Sequence, residues 1–176
     1  MKSINNFIGL ALLSGALLTS CSDSFLQRDS LTESSSNTFW QTPDDALMAL
    51  ASCYDALQSN QLYNSDQYSL GPLYMDCISD SGWMEGYDMA MGIHTPSSSI
   101  IGSYWKDCYE VISRCNVLIA NIDRVDMDAS QKAIYQAEAK TIRALMYINL
   151  TMTYQDVPFL TAPLTIDEAE CEKTDR

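Results

Sequence analysis

Histidine is nearly absent: one residue, His94, in 176. Metal centres draw heavily on imidazole, and no two cysteines stand at the CxxC spacing of zinc or redox motifs, so neither chemistry has a foothold. Positive charge is scarce as well. Ten Lys and Arg face 23 Asp and Glu, a formal net charge of −13, which argues against nucleic acid and against binding anionic lipid by charge. Gly-x-Ser-x-Gly and phosphate-cradling glycine loops are missing. No apolar run approaches the roughly 20 residues that a membrane-spanning helix needs.

What is present describes a folding chain, 47% apolar and only 19% charged. It begins with Lys2 and an apolar run from Phe7 to Leu18, then Leu18-Thr19-Ser20-Cys21. A positive start, a short apolar segment and small residues mark residues 1–20 as a secretory signal peptide. A cysteine directly after Leu-Thr-Ser matches the bacterial lipoprotein pattern, with Cys21 as the lipidated first residue of the mature chain. Two or more acyl chains are needed for a stable anchor. Residues 21–38 are polar and Ser-rich, as befits a tether. With Cys21 set aside, Cys53, Cys77, Cys108, Cys115 and Cys171 remain. Cys108 and Cys115 sit about 10 Å apart along one helix, too far for a bridge, so mostly buried free thiols are expected.

Thr42-Pro43-Asp44-Asp45 is a strong helix start, with an N-cap, a proline for the first turn and carboxylates for the positive end of the dipole. Ala46, Leu47, Leu50, Tyr54 and Leu57 then recur at helical spacing to about Gln58. Phe39-Trp40 reads as a packing anchor. Pro72 to Ile78 suits a short helix. Ser79 to Ser99 has no period, yet carries Trp83, Met84, Tyr87, Met89 and Met91. Large side chains on an irregular loop must either fold inward or meet a ligand. A helical hairpin follows. Its first stripe is Trp105, Cys108, Ile112, Cys115, Ile119 and Ile122; its second is Ile134, Ala137, Thr141, Ala144 and Ile148, with Leu145 beside it. Asp128 caps the second helix, with Gln131 in the capping-box position, and Pro158 and Pro163 end it. Residues 167–176 form an acidic tail. These patterns predict an all-α domain over residues 39–166, built of tetratricopeptide-like helical hairpins with an irregular loop insertion.

Several blocks together resemble the SusD/RagB family of surface glycan-binding lipoproteins. They are Cys21 with nearby Asp23; Phe39-Trp40-Gln41-Thr42 before an acidic helix start, with Tyr54 inside; Trp105…Tyr109…Ile112…Asn116; and Glu138-Ala139-Lys140-Thr141-Ile142-Arg143-Ala144-Leu145-Met146-Tyr147, running on to Tyr154-Gln155-Asp156-Val157-Pro158. Thr141 stands where the family has an aromatic residue, and Gln155 where it has glycine. The resemblance covers the mature chain but only the N-terminal part of a family member, and repeat helices generally need about three stacked units. An incomplete SusD-like fold is therefore expected.

The resemblance implies binding rather than catalysis, with no cofactor. The expected ligand is an oligosaccharide or polysaccharide. The expected partner is a SusC-like, TonB-dependent outer-membrane transporter, and the expected location the cell outer membrane, lipid-anchored and facing the exterior. Sugar C–H faces stack on Trp and Tyr while their hydroxyls seek carboxylates and amides. Trp40 and Trp105 belong to the structural blocks, which leaves Trp83, with Tyr87, Asp80 and Glu85, as the candidate ligand-binding group. Glu138 and Arg143 are expected to make structural bonds to a neighbouring helix. The alternatives are a helical-repeat scaffold for a protein partner, or a truncated, inactive fragment of a binding protein. A glycosidase would need two carboxyls at a set separation; Asp76, Asp80, Glu85 and Asp88 could supply them, as any acidic loop could.

Overall fold

Thr42 starts the first helix as its sequence implies. Asp45 N–H donates to Thr42 Oγ1 at 3.3 Å, and Asp45 Oδ2 accepts from the Thr42 amide at 2.7 Å and hydroxyl at 2.9 Å and from Gln41 N at 3.0 Å. This reciprocal capping box opens α1, Pro43–Leu57. The bonds from Thr42 hold the Asp45 carboxyl below the usual carboxylate range. Just before it the backbone reverses at Trp40, with φ of 65°. The reversal turns the indole into the core, with Phe39 edge-on at 5.0 Å.

The computed structural model describes residues 39–64 and 69–165. The signal peptide, Cys21 with its tether, Cys171 and the acidic tail lie outside the described residues. Among the described residues every regular element is helical. A 3-10 turn, Pro72–Ile78, follows α1; then come α2, Ser99–Asn121, a 3-10 turn at Ile122–Arg124, and α3, Ala129–Tyr154. Asp128 caps α3 by accepting from Ser130 N at 2.9 Å and Gln131 N at 3.2 Å. The Gln131 side chain does not complete a box. No helix among the described residues is long and apolar enough to cross a membrane.

α2 is the central helix, packed against both α1 and α3. It therefore buries more than the one expected stripe: Tyr104, Val111 and Leu118 join Cys108, Ile112 and Cys115. Arg114 clips it to α1, donating to Ser52 O at 2.9 Å and Asp55 Oδ2 at 3.2 Å, while Glu110 Oε1 of its own helix accepts from it at 2.7 Å. Cys53, Cys108 and Cys115 are buried free thiols, as expected, and Cys77 is half-buried. Burial pushes the Cys108 thiol up to about 12.

The stripe expected on α3 faces the other way. Its buried residues are Ala139, Ile142, Met146, Tyr147, Asn149 and Leu150. Ile134, Leu145 and Ile148 are exposed. On α1 the same offset appears: Ala46, Ala49, Leu50, Cys53 and Ala56 go inward while Leu47 and Tyr54 stay outside. The reason is that both helices carry two apolar stripes, and small alanines let α2 approach on one of them. The outer stripes meet in an apolar groove of about 460 Å³ lined by Tyr54, Leu57, Ile134, Ala137, Thr141 and Leu145. Glu138 accepts from the Tyr54 hydroxyl at 2.8 Å, the inter-helix bond its position suggested.

After α3 the chain folds back as an extended strap held along the hairpin. Asn116 Nδ2 donates to Leu160 O at 3.1 Å and Ala162 O at 3.2 Å. Arg143 donates to Asn116 Oδ1 at 2.6 Å and to Thr161 O at 3.1 Å. The Tyr147 hydroxyl accepts from Leu160 N at 2.6 Å and donates to Leu160 O at 2.9 Å, while Tyr109 donates to Pro158 O at 2.7 Å.

Gln155, which begins this return, has φ of 66° and ψ of −102°. That left-handed conformation suits glycine and strains a residue with a Cβ. Gln155→Gly is expected to stabilise the fold by about 1 kcal/mol, read as a rise in the urea midpoint at unchanged slope; an unchanged midpoint would show that the Cβ costs nothing there. The Asp45 cap gives a second expectation. Its folded pKa lies below that of an unfolded aspartate, so its contribution is present above the unfolded value and fades as pH falls through the folded one. Wild type should therefore melt above Asp45→Asn at neutral pH, and the two should converge in acid. A gap that persists at low pH would contradict the linkage.

Candidate functional site

The loop between the 3-10 turn and α2 is fixed from one knot of polar contacts. Ser69, fully buried, donates from Oγ to Gln61 O at 3.2 Å and accepts from Gly71 N at 2.7 Å. Its carbonyl accepts from the Tyr87 hydroxyl at 2.7 Å. Gly71 is required by close approach: a Cβ there would lie 2.3 Å from Leu62 O and 2.9 Å from Gln61 O, both backbone. The chain can thus pass tightly over Leu62 and Leu70, which are buried beneath it. Gly86, with φ of 75°, turns the loop inward so that Tyr87 and Met89 pack down.

The four expected ligand contacts separate accordingly. Tyr87 is 1% exposed, and burial raises its phenol to about 12. Its ring is packed down and its hydroxyl anchors the loop through the Ser69 carbonyl. Trp83 is 73% exposed and stands free for stacking. Asp80 and Glu85 are exposed on the same loop. No hydrogen bond among the described residues joins these three into one constellation. Trp40 is buried, and Trp105 packs against Tyr109 at 5.0 Å and Tyr154 at 4.9 Å, which leaves both in structural roles. No cluster of three or more His, Cys, Asp or Glu that could hold a metal occurs among the described residues.

The loop does form a cleft, of about 570 Å³, against α2. Of the four expected ligand contacts Tyr87 alone lines it; Asp88 and Met89 of the same loop do so too, and Gln61, Ser99, Ile100 and Ser103 join them without having been singled out in the sequence. The signal available in the sequence was the Ser97-Ser98-Ser99 run, legible as loop but not as a wall. Gln61 carries no motif at all and arrives through the Ser69 knot.

Three packed helices built around a hairpin, with a loop insertion and a return strap, define an all-α, tetratricopeptide-like protein. Within that class the chain is similar to SusD-like proteins over about a third of their length. It is 29% identical over 171 residues to SusD-like protein P25 of Formosa agariphila, covering 86% of this chain and 31% of that protein. It is 31% identical over 162 residues to SusD-like protein P38 of the same organism, covering 90% of this chain and again 31% of the relative. Among solved structures it is similar to a laminarin-binding SusD-like protein, at 28% identity and a TM-score of 0.65, covering 77% of this chain and 31% of the other. A SusD-like carbohydrate-binding protein of Bacteroides fragilis matches at 27% identity and a TM-score of 0.66, with 78% and 29% covered. No protein-family model matches the chain. The chain thus spans about a third of the length of the curated relatives it matches.

The anchoring role of Tyr87 is testable. Tyr87→Phe leaves the Ser69 carbonyl short of a buried donor and should cost about 1–2 kcal/mol in urea unfolding. A variant as stable as wild type would return Tyr87 to the list of groups kept for a ligand.

Proposed function

We propose that the chain is a non-catalytic glycan-binding part of a surface lipoprotein in a TonB-dependent nutrient-uptake system. The observation that carries the reading is the agreement of sequence and fold with a laminarin-binding and a carbohydrate-binding SusD-like protein, at 27–28% identity over more than three quarters of the chain. The exposed Trp83 supports it, since an indole face with Asp80 and Glu85 on the same loop suits the apolar face and hydroxyl edge of a sugar. Cys21 after the signal peptide supplies the lipid anchor in this reading, and a SusC-like transporter the partner to which captured glycan passes. The exposed carboxylates Asp76, Asp80, Glu85 and Asp88 serve as hydrogen-bond acceptors rather than as an acid–base pair.

A second reading, a helical-repeat scaffold for a protein partner, has one observation in its favour. The apolar groove between α1 and α3 has the form that receives the apolar face of a further helical hairpin. The two readings separate on immobilised laminarin, starch, xylan and mannan. Glycan binding requires retention of wild type on at least one of them and about tenfold weaker binding by Trp83→Ala. Retention on none would overturn the glycan reading in favour of the scaffold, and wild-type retention by Trp83→Ala would remove Trp83 from the site. Release of reducing sugar from the retained polysaccharide would contradict the non-catalytic role.

A further inference from the structure

Two sulfurs meet across the contact between α1 and α2. Cys53 and Cys115 are both fully buried in the helical core, and the Cys115 thiol hydrogen-bonds to that of Cys53. The Cys53 thiol in turn donates to Ala49 O at 3.4 Å. The register of the two helices gives the same pairing independently. Arg114, the residue before Cys115, donates at 2.9 Å to the carbonyl of Ser52, the residue before Cys53. A second bond, at 3.2 Å, reaches Asp55 just beyond it.

The backbones around this pair are free to come close. On α1 the buried neighbours of Cys53 are Ala46, Ala49 and Ala56, with Leu50 beside them. Small side chains allow an approach tighter than the roughly 8–10 Å of ordinary helix packing. A bridge between helices needs that, since its Cα atoms must lie within about 7 Å of each other. The other described thiols lack the arrangement. Cys108 lies two turns from Cys115 on the same helix and bonds Tyr104, and Cys77 sits half-buried on the 3-10 turn.

We propose that Cys53 and Cys115 form a disulfide site that staples α1 to α2, closed by exchange with a small-molecule disulfide. In the first step one of the two thiolates attacks a sulfur of the oxidant, whose S–S bond breaks and releases a small thiol. As α1 docks on α2, the other cysteine attacks the mixed disulfide and displaces the second small thiol. The two protons and two electrons of the cysteines end on the two small thiols. Both sulfurs are enclosed once the helices have packed, so the exchange belongs to folding rather than to the finished fold. The bond closes a loop of about 60 residues, which constrains the unfolded chain strongly. Nothing in this depends on what the Trp83 loop binds.

The test is refolding of the full chain from urea in a mixture of oxidised and reduced glutathione, then alkylation and peptide mapping with trypsin and chymotrypsin. A linked pair of peptides carrying Cys53 and Cys115 is expected. The bond should lower the unfolding equilibrium constant about 30-fold or more relative to the reduced chain. Cys115→Ala should abolish both the linked peptides and the gain; if that variant does not fold, the wild-type map decides alone. Alkylation of both cysteines, or a bridge from either to a different cysteine, would overturn the proposal. A Cys53–Cys115 bond that adds no stability would overturn its role as a staple.

Discussion

The side chain of Asn116 is the point on which the fold closes. Its amide donates to two carbonyls of the return strap and its oxygen takes the Arg143 guanidinium, so one residue of α2 ties together α3 and the segment after it. An extended strap has no ladder of its own, and every buried carbonyl it carries must find a donor elsewhere. Tyr109, Tyr147 and Arg143 meet that need at Pro158, Leu160 and Thr161. Four of the residues that carry the SusD/RagB resemblance, Tyr109, Asn116, Arg143 and Tyr147, are these donors. Their spacing on two different helices makes sense only when the strap is in place.

This division of labour explains which parts were legible in the sequence. Thr42 and Asp45 act within four residues of each other, so the cap of α1 can be read locally. The same is true of Asp128. The direction in which a helix faces is not local. α3 has apolar residues at Ile134, Leu145 and Ile148 and again at Ile142, Met146 and Leu150. Helical periodicity detects both sets and ranks neither; the choice falls to α2, which packs where Ala139 lets it approach. The loop fails for a related reason. Trp83 and Tyr87 are both aromatic, and only the contact between Tyr87 and Ser69, 18 residues away in the chain, decides which turns inward.

The two departures from the family pattern have visible physical consequences. Gln155, in place of glycine, holds a backbone conformation that a Cβ resists. Thr141, in place of an aromatic ring, bonds its own helix through Ala137 O at 2.8 Å and leaves open space beside Tyr54 and Leu145. A ring at that position would occupy part of the groove between α1 and α3. The groove therefore reflects a missing volume as well as an uncovered face.

Three regions of the fold lie apart from one another. The strap and its donors lie on the hairpin, the apolar groove on the outer faces of α1 and α3, and the loop that carries Trp83 before the start of α2. The loop owes its shape to a tight backbone crossing at Gly71 and to one buried serine, neither of which touches solvent. Its outer residues are consequently free of structural duty. Trp83, Asp80 and Glu85 stand exposed on a platform that Ser69, Gly71 and Tyr87 keep in place, so their side chains can vary without disturbing the scaffold beneath them.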